Sequence, residues 1–248
     1  MRPDRWLRPL RDGPDAVADV YLFPYSGAGI SVFSDWPQAA PAWLNCWGVQ
    51  LPGRQDRLLE AAETELGELL NSLTAMLGAE VDADRPYALF GHSMGAMLSY
   101  RLAAMLPAAG HPAPVLLAVS GWSPVGFRAL DDHAHTEAGV LEWLTENRGL
   151  PPEVLADPEA LAALLPPMQA DLLLVGGYRD DSARVRCPIL AFAGRDDELV
   201  APEAMSAWEG RTDRYLGTCV LPGDHYFLHQ HQHAIMLQLA DAVLRLLG

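Results

Sequence analysis

The most informative part of this chain is the stretch from Tyr87 to Met105, which reads YALFGHSMGAMLSYRLAAM. Its first four residues form an apolar run of strand length, and the residues after Gly95 have the composition of a helix. Between them stands G-x-S-x-G, centred on Ser93, in the strand–turn–helix context that this motif requires. A serine on so tight a turn has a strained backbone, and a Cβ at either flanking glycine would collide with the neighbouring chain. The motif therefore predicts a nucleophilic Ser93, in preference to a serine in an ordinary strand–helix loop.

Around this stretch, strand-length apolar runs alternate with helix-period segments. This is typical of an α/β fold with a mostly parallel central sheet flanked by helices. At 248 residues, the chain is expected to form a single domain over residues 1–248. The predicted strands are Asp19–Phe23, Leu44–Gln50, Tyr87–Phe90, Val115–Ser120, Ile189–Ala193 and Thr218–Leu221. The predicted helices are Glu65–Leu77, Met94–Leu106, Pro202–Glu209 and Ile235–Leu247.

The composition narrows the class of protein. Half of the residues are apolar, as in a globular domain, and the net charge of −15 argues against binding to nucleic acid or anionic membranes. Three widely spaced cysteines, Cys46, Cys187 and Cys219, suit a reducing cytoplasm and form neither a disulfide nor a zinc pattern. No signal segment and no uncharged apolar run of membrane-spanning length is visible, so we expect a cytoplasmic protein without membrane contact.

A serine nucleophile needs a general base and a group that orients that base. The acid should follow a late strand, and residues 194–200, GRDDELV, follow the fifth predicted strand. Asp196, Asp197 and Glu198 compete for this role. Asp197 fits the G-x-x-D spacing, and Asp196 stays as the alternative acid, its other interpretation being a cap of the next helix. His225 comes directly after the last predicted strand, at the sheet edge that should carry Ser93. These residues predict a triad in which His225 is the base and Asp197 orients it.

Stabilising the oxyanion requires two N–H donors. One is expected from Met94, which follows the nucleophile, and the other from the loop FPYSGAG, residues 23–29. The glycines of this loop allow an N–H to turn inward, and we predict the amide of Ser26. A dinucleotide-binding loop is rejected, because Val32 stands where G-x-G-x-x-G has its third glycine.

Three further histidines, His229, His231 and His233, raise the question of a metal site. Histidines that alternate with glutamines do not gather on one helix face, and no H-E-x-x-H pattern is present. We expect them to be solvated helix residues. Because a triad with an oxyanion hole is sufficient for acyl transfer, we expect no metal and no other cofactor.

The alternation of strands and helices breaks from about residue 123 to residue 186. This region offers helical segments at Thr136–Asn147, Pro158–Leu165 and Met168–Val175, separated by Pro151-Pro152 and Pro166-Pro167. A helical insertion placed before the last two strands is where a serine hydrolase carries its lid. We expect a lid rather than plain helical decoration, because the insertion should lie over the sheet edge that carries the elbow.

Four blocks of the sequence together resemble the type II thioesterases, the free-standing editing enzymes of polyketide and nonribosomal peptide assembly lines. They are FPYSGAG (23–29), VQLPGRQDR (49–57), GHSMG (91–95) and GDHYFL (223–228). The resemblance runs from about Tyr21 to Leu247. The Q-L-P-G-R block makes it specific, since G-x-S-x-G alone is common to many hydrolases.

The resemblance implies an α/β-hydrolase fold with a helical lid. It also implies hydrolysis of acyl groups stranded on the phosphopantetheine thiol of a carrier protein, in secondary-metabolite biosynthesis. It places Ser93, Asp197 and His225 at the family's triad positions. Carrier proteins are usually acidic, so a partner of charge −15 would repel them at long range. We therefore expect weak, transient docking, through an apolar lid surface or through a cluster of lid-region arginines, namely Arg128, Arg148 and Arg179. The oligomeric state that we expect by default is a monomer.

The sequence is also compatible with other functions. A small-molecule carboxylesterase or lipase would use the same triad but prefer free esters, and a chain-releasing thioesterase is usually fused behind a carrier domain. A non-catalytic relative could bind a ligand in the same cleft, although the complete Ser/Asp/His set argues against it. Arg54 and Arg57 suit two interpretations equally, as salt-bridged loop residues or as part of a substrate channel.

Overall fold

In this computed structural model, which describes residues 5–81, 85–125, 136–146 and 156–248, the central element is one sheet of seven strands. The strands are β1 (Leu7–Arg11), β2 (Ala18–Phe23), β3 (Leu44–Val49), β4 (Tyr87–His92), β5 (Leu116–Ser120), β6 (Ile189–Gly194) and β7 (Tyr215–Leu221). Their order across the sheet is β1-β3-β2-β4-β5-β6-β7. Only β1 runs antiparallel to its neighbour, β3, and every other pair is parallel.

Parallel strands deliver their carboxyl ends to one edge of the sheet. The loops after β2, β4, β6 and β7 therefore emerge together, which is where Ser26, Ser93, Asp197 and His225 lie. Strands β2, β4 and β5 are buried along their whole length, as expected for central strands covered on both faces. The α/β class and the six predicted strands are confirmed.

The helices of the described ranges are α1 (Leu66–Glu80), α2 (Met94–Ala108), α3 (Glu137–Glu146), α4 (Pro158–Gly177) and α5 (Leu228–Leu247). Short 3₁₀ segments occur at Ile30–Phe33, Trp36–Gln38, Gln55–Arg57 and Pro202–Arg211. The segment predicted as a helix from Pro202 is thus a 3₁₀ helix, and the last helix starts earlier than predicted, at Leu228.

The core has a layer on each face of the sheet. Helices α1 and α2 contribute side chains such as Leu73 and Leu98 to one layer, and Leu174 of α4 joins them. Helix α5 packs on the other face, where Ile235 and Leu239 meet aromatic side chains of the first 3₁₀ segments. The loops at this sheet edge therefore extend from a sheet with a buried apolar layer on each face.

The structure differs from the sequence predictions in two further elements. Strand β1 was missed, because its sequence, LRPLR, has no apolar alternation; it is a partly exposed edge strand that pairs with β3 on one side. Helix α4 runs without interruption through Pro166-Pro167, where a break was predicted. A proline keeps the helical φ and removes one N–H donor, and here the packing of Leu165, Met168 and Leu172 against α3 outweighs that loss.

Helix α4 is also long and apolar enough, by length and composition, to cross a membrane. Its placement is that of a helix within a folded protein, because Leu174 and Val175 pack into the core. Its one central charge, Asp171, is buried against Arg54.

Candidate active site

Ser93 lies on a strained turn between β4 and α2. Its backbone has φ 53° and ψ −120°, a combination that residues other than glycine rarely adopt. A Cβ at Gly91 would collide with the carbonyl oxygen of Gly95, and a Cβ at Gly95 would collide with that of Phe23. Both glycines are therefore required by the close approach of backbone to backbone, for the steric reason that the motif suggests.

The turn is anchored to the neighbouring strand and continues into a helix. The backbone N–H of Ser93 donates to the carbonyl oxygen of Ser120, at the end of β5, over 2.8 Å. Helix α2 begins at the next residue, Met94, so the positive end of its dipole lies beside the serine. The Met94 N–H belongs to the first turn of α2, whose donors have no acceptor within their own helix. This is the position expected of one oxyanion donor.

Asp197 and His225 form a buried pair. The Nδ1 atom of His225 lies 2.8 Å from Oδ2 of Asp197, and both residues are at most 5 % exposed. The other carboxylate oxygen, Oδ1, accepts the backbone N–H groups of Leu199 and Val200, each over 2.9 Å. Because an ionised carboxylate only accepts hydrogen bonds, Nδ1 carries the proton and Nε2 carries the lone pair of the neutral ring.

The structure separates the two candidate acids. The side chain of Asp196 is exposed, and its backbone N–H donates to the carbonyl oxygen of Gly223 over 2.9 Å. Gly194, at the end of β6, allows the histidine loop to approach, since a Cβ there would collide with the carbonyl oxygen of Asp224. The residue that the fold brings to His225 is therefore Asp197.

The ring of His225 lies beside the residue that precedes the serine. The ring centroids of His92 and His225 are 5.0 Å apart, and Nδ1 of His92 is 2.9 Å from Oγ of Ser120. Burial, reinforced by the charge of His225, holds the pKa of His92 well below its ordinary value, so His92 is neutral at pH 7. The histidine loop and the strained turn of Ser93 thus meet at one place on the sheet edge.

The loop after β2 packs directly against the turn of Ser93. Of three consecutive amides in this loop, two are already committed: the N–H of Gly27 donates to Oδ2 of Asp171 over 2.7 Å, and that of Ala28 donates to the carbonyl oxygen of Tyr25 over 3.1 Å. The remaining amide of the three is that of Ser26, the one that the sequence suggests as the second oxyanion donor.

A cavity of about 440 Å³ opens beside this loop, and most of its lining is apolar. The loop after β2 and the segment around Arg54 form one wall, and helices α3 and α4 form the other. The side chains from α3 and α4 are Leu144, Ala160, Ala163, Leu164, Pro167 and Met168, and Tyr226, next to His225, also borders the space. The cavity is therefore an apolar chamber under the helical insertion, next to the loop of Ser26.

Helix α4 is attached to the core by an ion pair that sequence reasoning missed. Arg54 makes two parallel bonds to Asp171, with Nη1–Oδ2 at 2.6 Å and Nη2–Oδ1 at 2.8 Å, and both side chains are buried. Arg57 pairs with Glu60 and stacks over the ring of Trp6. Both arginines are thus ion-paired loop residues, and Arg54 also borders the cavity. A single carboxylate inside an apolar helix was the signal that could have identified Asp171.

The three clustered histidines have different surroundings. Nε2 of His229 lies 3.0 Å from the Tyr25 hydroxyl, Nε2 of His231 lies 2.8 Å from the carbonyl oxygen of Pro222, and His233 is exposed. Within the described ranges, no group of three or more His, Cys, Asp or Glu side chains is arranged to hold a metal ion.

Two of the arginines considered for docking, Arg128 and Arg148, lie outside the described residues, as do parts of the insertion at 126–135 and 147–155. The third, Arg179, donates to the carbonyl oxygens of Gly176 and Tyr178, at the end of α4.

Comparison with known proteins agrees with this geometry. The family model described as "Thioesterase domain" matches residues 18–243. The gramicidin S biosynthesis protein GrsT of Aneurinibacillus migulanus is 31% identical over 236 residues, which cover 94% of this chain and 91% of that protein. The structure of BorB, a type II thioesterase from the borrelidin biosynthetic cluster, superposes with a TM-score of 0.86 at 30% identity, covering 98% of this chain and 99% of BorB. RedJ, a thioesterase from the prodiginine pathway of Streptomyces coelicolor, gives a TM-score of 0.83 at 30% identity, covering 94% and 89% of the two chains. The chain therefore belongs to the thioesterase family, as a relative of type II thioesterases.

Proposed function

We propose that this protein hydrolyses acyl groups from the phosphopantetheine thiol of carrier proteins, and so removes aberrant or stalled chains during secondary-metabolite biosynthesis. The observation that carries the proposal is the buried pair of Asp197 and His225 beside the strained turn of Ser93. The match to the thioesterase family suggests that the bond to be cleaved is a thioester. The apolar cavity beside the loop of Ser26 has room for an acyl chain.

In the first half of the reaction, Oγ of Ser93 attacks the thioester carbonyl while Nε2 of His225 takes the hydroxyl proton. The tetrahedral intermediate collapses as the C–S bond breaks, and the imidazolium returns its proton to the departing sulfur. Asp197 keeps Nδ1 protonated and stabilises the imidazolium. The products of this half are the free phosphopantetheine thiol and an acyl ester on Ser93.

In the second half, water attacks the acyl ester and His225 takes one of its protons. Breaking the C–O bond to Ser93 releases the carboxylic acid, and the same proton restores the serine hydroxyl. A thioester carbonyl is poorly stabilised by resonance, so a serine, a base and an oxyanion hole are sufficient for both steps. The backbone N–H groups of Met94 and Ser26 are assigned as the oxyanion donors. The support for Met94 is that α2 starts there, and the support for Ser26 is that the next two amides, of Gly27 and Ala28, already donate to other acceptors.

We also assign residues 1–248 to one α/β-hydrolase domain and residues 123–186 to a movable lid inserted in it. The support for the lid is that α3 and α4, both from this insertion, form one wall of the cavity. A lid that opens would admit a variable acyl chain beside the flexible phosphopantetheine arm, and its closure would exclude bulk water.

The partner in this proposal is an acyl-loaded carrier protein, met by a cytoplasmic monomer without nucleic acid or membrane. The net charge of −15 disfavours long-range attraction to an acidic carrier, so the encounter is weak and transient. Such a contact suits an editing enzyme, which must sample many carriers and act on those whose chains remain in place.

The proposal is tested by incubating the protein with carrier proteins loaded with several acyl groups and following the loss of each acyl mass by intact-protein mass spectrometry. We expect release of the acyl group by the wild type and no release by Ser93→Ala. A free ester with the same acyl group is measured in parallel. If the free ester is cleaved faster than the carrier-bound thioester, the protein is a small-molecule esterase and the proposal is wrong.

A further inference from the structure

The loop that carries Ser26 is held from two sides by one buried ion pair. Oδ2 of Asp171, on helix α4, accepts the backbone N–H of Gly27 over 2.7 Å. Nη1 of Arg54 donates to the same carboxylate oxygen over 2.6 Å and also to the carbonyl oxygen of Ala28 over 3.2 Å. The pair therefore binds the donor of the Ser26–Gly27 peptide group and the acceptor of the Ala28–Gly29 peptide group in the same loop.

The contact between α4 and the loop is also close in a steric sense. Gly27 has a φ of +77°, and a Cβ on it would lie 2.9 Å from the Sδ atom of Met168, one turn before Asp171 on α4. On the core side, Oε1 of Gln50 accepts the N–H of Ile30 over 2.9 Å, and Nε2 of Gln50 donates to the carbonyl oxygen of Arg54 over 2.9 Å. The loop thus lies between Gln50 on the core side and Asp171 on the helical insertion.

The ion pair also orients a peptide group next to the Ser26 amide. The N–H of Gly27 belongs to the peptide unit formed by Ser26 and Gly27, so fixing that N–H fixes the plane next to the Ser26 amide. A charged acceptor fixes it firmly, since hydrogen bonds to an ionised carboxylate are shorter and stronger than neutral ones. The orientation of the Ser26 N–H then depends on where α4 lies.

We propose that Asp171 and Arg54 are positioning residues. They couple the position of helix α4 to the orientation of the loop that carries Ser26, residues 23–29. When α4 is seated on Arg54, the carboxylate holds Gly27, and Ser26 presents its N–H to the reacting carbonyl. When α4 moves away, the loop loses this acceptor and the oxyanion loses a donor. The inference rests on the proposed function, because it takes Ser26 as one of the two oxyanion donors.

The test uses Asp171→Asn, which keeps the shape of the side chain but offers one acceptor oxygen in place of two. In either orientation of the amide, its NH2 group faces another donor, Nη2 of Arg54 or the N–H of Gly27, and the negative charge that holds both partners is lost. The matched control is Asp180→Asn, which breaks the ion pair of Asp180 with Arg211, three residues past the end of α4. All values are corrected for the fraction of active sites, titrated to completion with a fluorophosphonate, so that misfolded protein is not counted.

Two measurements are compared: kcat/KM for an acyl thioester of N-acetylcysteamine, and the affinity for an alkyl trifluoromethyl ketone. The ketone adds to Ser93 as a tetrahedral oxyanion and therefore reports the oxyanion hole. We expect Asp171→Asn to lower both by about 100-fold, the effect of losing one oxyanion donor. The midpoint of the pH profile of kcat/KM should stay in place, because Asp197 and His225 are untouched. Asp180→Asn should leave both quantities within about twofold of the wild type.

A purely structural role would lower the titratable fraction of Asp171→Asn and leave kcat/KM and ketone affinity per active site equal to those of Asp180→Asn. That result would overturn the inference. If Asp171→Asn does not fold, Arg54→Lys takes its place, because it keeps the positive charge and removes the second parallel bond. We expect about a tenfold loss in both measurements, from a small misplacement of the donor, and no loss would again overturn the inference.

The proposed function is tested separately in the same assay. It fails if the wild type hydrolyses no thioester, or if Ser93→Ala is as active as the wild type. The coupling is judged only by comparing kcat/KM and ketone affinity per active site between Asp171→Asn and Asp180→Asn. A failure of the coupling can therefore be distinguished from a failure of the proposed function.

Discussion

The imidazole rings of His92 and His225 lie 5.0 Å apart, centroid to centroid, and Gly121 makes this possible. A Cβ on Gly121 would lie 2.7 Å from Cε1 of His92 and 3.2 Å from Cε1 of His225. Two protonated rings at this distance would repel each other in a medium that screens charge weakly. One of the two must therefore remain neutral when the other is protonated, and the fully buried His92 is that residue.

This relationship predicts how stability depends on pH. Burial and the charge of His225 lower the pKa of His92 in the folded state, while the unfolded chain has an ordinary histidine pKa near 6.5. The unfolded state then binds more protons as the pH falls below about 6.5, so the free energy of unfolding decreases. We expect His92 to contribute a slope of up to about 1.4 kcal/mol per pH unit between pH 6.5 and 5.

Urea unfolding at several pH values measures this slope, and His92→Gln should make it shallower, because the titrating group is removed. His233→Gln is the matched control, since that side chain is exposed on α5. An equal slope in the wild type and in His92→Gln would contradict the assignment of His92 as a buried neutral ring.

A second prediction concerns the two neighbouring carboxylates after β6. Asp197→Asn should lower kcat by about 10,000-fold, because an amide at this position can stabilise the wrong tautomer of His225 and cannot stabilise the imidazolium. Asp196→Asn should change kcat by no more than about twofold, because that side chain is exposed. Turnover of an acyl thioester measures both, and comparable losses in the two variants would contradict the assignment.

Much of the site could be predicted because it follows from local rules. The strand–turn–helix context predicts a nucleophile at Ser93. The parallel sheet brings the loops after β4, β6 and β7 to one edge, which is why the contact between Asp197 and His225 could be predicted from their order along the chain. The choice between Asp197 and Asp196 depended on a spacing rule alone. Burial of Asp197 under two backbone N–H groups is a property of the folded loop.

The contacts that could not be predicted are long-range or depend on packing. Arg54 and Asp171 are separated by 117 positions, and no local pattern in the sequence pairs them. Helix α4 continues through Pro166-Pro167 because its apolar side chains pack against α3, an effect that helix propensity alone does not include. Strand β1 exists because β3 offers it an edge, whereas its own sequence has little strand character.

A third prediction tests the steric demand of the strained turn. Gly95→Ala should lower the free energy of unfolding by about 3 kcal/mol or more and abolish turnover, because the new Cβ would collide with the backbone at Phe23. Gly67→Ala is the matched control. Gly67 is also the second residue of its helix, α1, and a Cβ there would contact no atom within 4 Å among the described residues. Gly67→Ala should leave the free energy of unfolding unchanged or raise it by up to about 1 kcal/mol. Chemical denaturation measures both, and equal stabilities would contradict the steric argument.

The last prediction concerns the length of the acyl chain. Ala163 borders the cavity from α4 with a single methyl group, so Ala163→Phe should fill part of the 440 Å³ beside the loop of Ser26. We expect kcat/KM for a decanoyl thioester to fall by at least about tenfold, while that for an acetyl or propionyl thioester changes by less than about threefold, since a short chain does not reach the new ring. The matched control is Ala162→Phe, the same substitution at the neighbouring exposed position of α4, which introduces the ring away from the cavity lining. It should leave the ratio of long-chain to short-chain kcat/KM unchanged. Equal losses for long and short chains in Ala163→Phe would mean that the acyl group lies elsewhere, because a ring that only distorts α4 would disturb every substrate alike.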